Sequence, residues 1–216
     1  MSDSLLHTAI ERHFAQAVEA TAQSGTEQVE TLEMAVHLLA DTVARGGKIL
    51  IGGAGETAFL APYLASRLGG QLERERPPLP ALALQSDLGW PVTYPSGTAQ
   101  ALPHAMQEQW QQSLAHTLVQ QIQQLAHPDD VLWLISADAQ QSYTQQVVTA
   151  AQSREVPVVW MYAGRPSDLA SEHDVEIVLP EQRSVRALEQ MLLAAHAVCD
   201  ALDGYLLGLE SLETAE

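Results

Sequence analysis

Apolar positions along the chain change period twice, and the changes mark out the fold. Leu5, Ile10, Phe14, Ala17 and Val18 recur at helical spacing and predict a first helix, broken at Ser24-Gly25. Thr26 opens a second helix. Glu27 and Glu30 lie in its first turn, Val29, Leu32, Val36, Leu39 and Val43 form its apolar face, and Gly46-Gly47 stops it. From Lys48 the pattern shortens to continuous apolar runs: Lys48–Ile51, Leu79–Leu84, Val131–Ile135, Val156–Met161 and Val175–Leu179. Each is apolar on both faces, as buried parallel strands are. Helical stretches separate most of them: one ending near Leu68, then Pro103–Leu125, Gln140–Ser153 and Arg183–Leu209. This alternation predicts an α/β fold, a doubly wound five-stranded parallel sheet with an N-terminal helical pair and a long C-terminal helix. Ligands are expected at the carboxyl ends of the strands.

A length of 216 residues suits a single structural unit, with residues 1–46 as helices for oligomer packing and 47–216 as the sheet domain. Hydrophobic residues reach 46% and aromatics only 5%, so the expected core is Ala, Leu, Val and Ile. The final helix carries Leu188, Met191, Leu192, Ala195, Cys199, Leu202, Leu206 and Leu209, a stripe wide enough to be covered on several sides, which points to a homo-oligomer.

The net charge of −17 arises from 27 acidic against 10 basic residues, with Lys48 the sole lysine. Such a surface repels phosphate backbones, which disfavours direct nucleic-acid and anionic-membrane binding, and neither is expected as a partner. A single cysteine, Cys199, makes no internal disulfide and fits a reducing compartment. Residues 1–14 lack the basic start and apolar run of a signal peptide, and no apolar run approaches a bilayer span. The expectation is a soluble, cytoplasmic protein.

Two strand-to-helix turns could carry chemistry. In the first, Gly52-Gly53-Ala54-Gly55-Glu56-Thr57, glycines expose backbone N–H groups that would cradle an anion. Glu56 opposes that role, and the turn reads equally as a tight connection with a carboxylate favourable to the helix dipole. The second, Ser136-Ala137-Asp138-Ala139-Gln140-Gln141-Ser142, offers the hydroxyls of Ser136 and Ser142 but again an anion, Asp138, which reads alternatively as a helix cap. Between Ser86 and Gly97 lies the least regular stretch, carrying Trp90 and Tyr94, a lid or partner loop. Glu73-Arg74-Glu75-Arg76 alternates in sign as surface ion pairs do. Arg183 and Arg186 open the last helix against its dipole, which favours an anionic partner or an interface salt bridge. His196, alone in an apolar helix, reads as a hydrogen-bonded core histidine, and Cys199 as packing.

The order of these elements, with Glu75-Arg76-Pro77, Leu79-Pro80-Ala81-Leu82-Ala83-Leu84, Asp130–Ser136, Asp174–Ile177, Arg183-Ser184, Arg186 and Cys199-Asp200, resembles the SIS (sugar isomerase) family. Within it the chain is most similar to the phosphoheptose isomerase branch, and there to the homotetrameric members that associate with the replication initiator DnaA. The resemblance implies a three-layer, flavodoxin-like sheet and a dimer of dimers. It places the phosphosugar loops at Gly53, Ala54, Gly55, Glu56 and Thr57 and at Ser136, Asp138, Gln141 and Ser142. The isomerases' metal and acid–base positions, two on the helix after the first turn and two on the last helix, read here as Tyr63, Arg67, Leu188 and His196. With one of the four kept, the resemblance implies no metal, no cofactor and no isomerase base. The expected function is a non-catalytic regulator that binds DnaA and promotes initiation assembly, with residual phosphosugar binding. The alternatives are a sedoheptulose 7-phosphate isomerase with a rearranged site and a phosphosugar-sensing module.

Overall fold

The computed structural model describes residues 2–53, 57–70, 74–84, 104–138, 142–179 and 184–208. Six helices and five strands alternate in the order α1 (Ser2–Glu27), α2 (Val29–Ala44), β1 (Ile49–Gly53), α3 (Leu60–Gly69), β2 (Ala81–Ala83), α4 (His104–Leu125), β3 (Val131–Asp138), α5 (Ser142–Gln152), β4 (Val158–Ala163), β5 (Val175–Leu179) and α6 (Ser184–Leu206). All strand pairs are parallel, in the spatial order β2-β1-β3-β4-β5. The expected doubly wound, three-layer sheet is therefore present.

Two cores flank the sheet because strand side chains alternate in direction. Ile49, Ile51, Trp133, Met161 and Ile177 pack with Leu39 of α2, Leu64 of α3 and Met191 of α6. Leu50, Leu132, Leu134 and Trp160 pack on the opposite face with Leu118 of α4 and Val147 of α5. Few as they are, the aromatics are not peripheral: Trp133, Trp160, Tyr143 and Tyr162 are among the largest fully buried side chains. The core thus departs from the purely aliphatic one expected from composition.

At its edges the sheet differs from the pattern of strands buried on both faces. On the short β2, Leu82 is exposed while Ala81 and Ala83 are half-buried, because only β1 flanks it. β5, at the other edge, alternates buried and half-buried positions. The amino ends of the two central strands are clamped by the buried Asp130. It accepts from the Lys48 N–H at 2.9 Å, from Lys48 Nζ at 2.5 Å and from the His127 N–H at 2.8 Å. Burial alone would raise the pKa of this carboxyl, but the hydrogen bonds and charge of Lys48, with the His127 N–H, hold it below its ordinary value.

The break expected at Ser24-Gly25 is absent. α1 runs through both residues to Glu27, the Gln28 N–H still bonds Ser24 O at 3.0 Å, and the Gln28 side chain reaches Val178 O at 2.9 Å. One glycine costs a helix only about 1 kcal/mol, which those bonds offset. The stop at Gly46-Gly47 holds, for a physical reason. Gly46 adopts φ +84° and donates to Val43 O, and the Gly47 N–H closes on Thr42 O, the left-handed termination that glycine permits. α1 itself is mostly solvent-facing: Leu5, Ile10, Phe14 and Val18 are all well exposed. No helix among the described residues is long and apolar enough to cross a membrane.

Two arginine assignments change. Arg76 is buried and ion-pairs with the buried Asp203 of α6, instead of lying in a surface pair. Its guanidinium also donates to Leu68 O, Gly70 O and Pro77 O at 2.9–3.1 Å and to Arg67 O at 3.3 Å, closing the end of α3. Arg74 pairs with Asp200 at 2.9 Å. Arg186 pairs with Glu189 on its own helix and donates to His13 O at 2.9 Å, so its anionic partner lies within the chain. Arg183 lies outside the described residues.

Candidate functional site

The strand order reverses direction between β1 and β3, where an open parallel sheet leaves a crevice beyond its carboxyl ends. Both turns singled out from the sequence leave the sheet there. Gly53 ends β1 in register with Ile135 of β3, and a Cβ on Gly53 would approach Thr57 O to 2.7 Å. Only glycine lets the chain fold back so closely. Thr57, also buried, donates its hydroxyl to Ile135 O at 2.7 Å and so ties the entry of α3 to the end of β3. Ser136 is fully buried, and its hydroxyl accepts the Trp160 indole N–H at 3.2 Å, so it is built into the core beneath the crevice.

Asp138 is the last residue of β3, paired with Ala163, and α5 begins four residues later at Ser142. It ends the described part of β3, and the connection from it to α5, residues 139–141, lies outside the described residues. Ala54, Gly55, Glu56 and Gln141, and the side chains of Asp138 and Ser142, lie outside the described residues, as does the Trp90–Tyr94 stretch.

On the face of the sheet covered by α2, α3 and α6, the last two helices bring together three of the four positions named above. The Tyr63 hydroxyl lies 2.6 Å from His196 Nε2, with both side chains half-buried and their rings 5.6 Å apart. Arg67, one turn further along α3, leans back so that its guanidinium carbon is 5.3 Å from the Tyr63 ring centroid. Side chains on a helix tilt toward its N-terminus, so Arg67 points over Tyr63 and toward the strand ends. Arg67 Nε is buried without a hydrogen-bond partner. Leu188, eight residues before His196 on the same helix, is half-buried and packs against the core. Among the described residues, no group of three or more His, Cys, Asp or Glu side chains is placed to hold a metal ion.

This constellation can donate hydrogen bonds and place one fixed positive charge. Arginine stays protonated and accepts no proton, so it cannot act as the base of a proton shuttle. Only the i,i+4 spacing of Tyr63 and Arg67 foreshadows the stack. Cys199, one turn from His196 on α6, is buried, and that burial with the nearby Asp203 charge pushes its pKa up to about 12. It is a packing residue, as read from the sequence.

Known proteins share this architecture over nearly its whole length. Residues 13–162 match the SIS domain family. A phosphoheptose isomerase from Thiobacillus denitrificans is 32% identical over 208 residues, spanning 95% of this chain and 98% of the relative. The structure of phosphoheptose isomerase GmhA from Neisseria gonorrhoeae superposes with a TM-score of 0.73 at 25% identity, covering 92% of this chain and 99% of that one. A HobA–DnaA (domain I–II) complex from Helicobacter pylori shares the fold at a TM-score of 0.59 and 17% identity, covering 97% and 98%. The strand order, the glycine-bound turn at the switch point and the full-length likeness agree: this chain belongs to the SIS domain family, on its phosphoheptose isomerase branch.

Proposed function

We propose that this chain is a cytoplasmic SIS module that acts by protein association and not by isomerising a sugar, with a sugar phosphate as its cleft ligand and DnaA as its partner. The observation that carries the non-catalytic part is Arg67. Where the resemblance sets an isomerase carboxylate, a guanidinium lies over Tyr63, and Tyr63 is bonded to His196. Moving a proton between adjacent sugar carbons requires a base, and a guanidinium offers none.

Association is supported by α1. Leu6, Ile10, Phe14 and Val18 stand between 59% and 70% exposed on one face of the helix, a stripe that a monomer leaves in water at a cost of about 25 cal/mol per Å². A second copy of the chain covers it in this reading. Residues 1–46 then serve assembly, α1 foremost, around domain 47–216, and the homotetramer is the working form. HobA, a protein of the same fold, is seen with DnaA, so the architecture is compatible with that partner.

The test is binding of purified DnaA from the same organism to the immobilised chain. Saturable binding that survives exclusion of nucleic acid is expected, and no binding at micromolar DnaA overturns the partnership. A second reading, isomerisation of sedoheptulose 7-phosphate, is favoured by the curated isomerases that match over the whole chain. Turnover of that substrate separates the two.

A further inference from the structure

In a chain with 27 acidic residues, every other cation at the α3–α6 junction has found a carboxylate: Arg74 pairs with Asp200 and Arg76 with Asp203. Arg67 has no ion pair among the described residues, and its Nε is a buried donor with no acceptor. Buried polar groups without partners are uncommon, and each calls for an explanation. The guanidinium is nevertheless held in place, by stacking on a tyrosine whose own hydroxyl is fixed to His196. An ordered, unpaired fork of N–H donors beside a ring hydroxyl and an imidazole is complementary to a planar or tetrahedral oxyanion.

We propose that Arg67, Tyr63 and His196 form an oxyanion subsite, which takes the carboxylate or phosphate group of a small ligand lying in the crevice between β1 and β3. Arg67 supplies the charge and a bidentate contact. Tyr63 orients the guanidinium through its ring face, and His196 fixes Tyr63. The subsite rests on the reading of this crevice as a ligand cleft and is independent of the DnaA partnership.

The proposal also inverts the local electrostatics expected from the two turns. Glu56 and Asp138 make those turns poor anion cradles by their charge, whereas Arg67 of α3 is a cation without an ion pair among the described residues. A negative group is thereby directed to the α3–α6 wall.

The test is an NMR titration of the full chain, following the His196 ring resonance, assigned by loss of its signal in His196→Gln. The probes are inorganic phosphate, glucose 6-phosphate and gluconate, so that phosphate and carboxylate sources are distinguished. Saturable movement with at least one probe is expected, and Arg67→Gln weakens that probe by about fivefold or more, in line with loss of a charge-assisted contact. Arg67→Lys, which keeps the charge without the fork, binds between the two and serves as the test variant should Arg67→Gln fail to fold. If no probe moves His196 in the parent chain, both the subsite and the ligand-cleft reading fail. If the parent binds and Arg67→Gln binds within about fivefold of it, the subsite alone is overturned.

Discussion

Removing Asp203 should leave the buried Arg76 guanidinium without its counter-charge and destabilise the fold by about 3–5 kcal/mol. Asp203 and Arg76 have side chains 1% and 2% exposed, and they join α6 to the end of α3. Truncating the carboxylate leaves a guanidinium buried with its carbonyl contacts but without its counter-charge. Breaking a buried pair in this way costs about 3–5 kcal/mol. Against a total stability of roughly 5–15 kcal/mol, that is about a fifth or more of what holds the fold. At roughly 2–4 °C per kcal/mol for a chain of this size, Asp203→Ala should melt about 6–20 °C below the parent. Arg76→Leu should be at least as damaging, because it also strips the donor from the carbonyls of Arg67, Leu68, Gly70 and Pro77. In the pair Arg76→Leu/Asp203→Leu no charge is left buried, so the double variant should lose less than the two singles added, by about 2 kcal/mol or more. Urea unfolding followed by circular dichroism at one fixed protein concentration measures all three. An Asp203→Ala variant within about 1 kcal/mol of the parent would refute the assignment of this pair as a structural tie.

Three further outcomes are expected. Cys199, its pKa raised to about 12, should not react with a thiol reagent such as dithionitrobenzoate in the native state and should react fully in denaturant; native labelling within minutes would contradict its burial. Asp130 is ionised in the fold below its ordinary pKa of 3.8, so its contribution is fully present above about pH 4 and is lost as pH falls through the lower folded value. Asp130→Asn should therefore flatten the acid limb of a stability–pH curve, and an unchanged limb would count against the Lys48 clamp. Phe14→Glu, on the exposed stripe of α1, should lower the mass measured by light scattering without altering the circular dichroism spectrum. An unchanged mass would mean that the stripe is not the assembly surface.

How far the sequence discloses this molecule depends on the range of the interactions involved. The strands and most helices are legible because their signals are local. Val131–Ile135 is apolar on every position, and Gly46-Gly47 can end a helix wherever it occurs. The Ser24-Gly25 stretch misleads because what carries α1 through it is partly tertiary, the reach of Gln28 to Val178. Arg76 misleads for the same reason. Its neighbours Glu73 and Glu75 look like its partners, while its actual partner is 127 positions away on α6. In the site, Gly53 and Thr57 are legible from the turn itself, but the union of Tyr63 with His196 spans 133 positions and leaves no mark in either segment.

The central claim, that this member of an isomerase branch has no working proton shuttle, is tested most directly by incubating the purified chain with sedoheptulose 7-phosphate and zinc and following the product by NMR. No conversion above the protein-free control is expected, in the parent and in His196→Ala alike. Sustained turnover that is abolished by His196→Ala would contradict the claim and place the chain among the working isomerases.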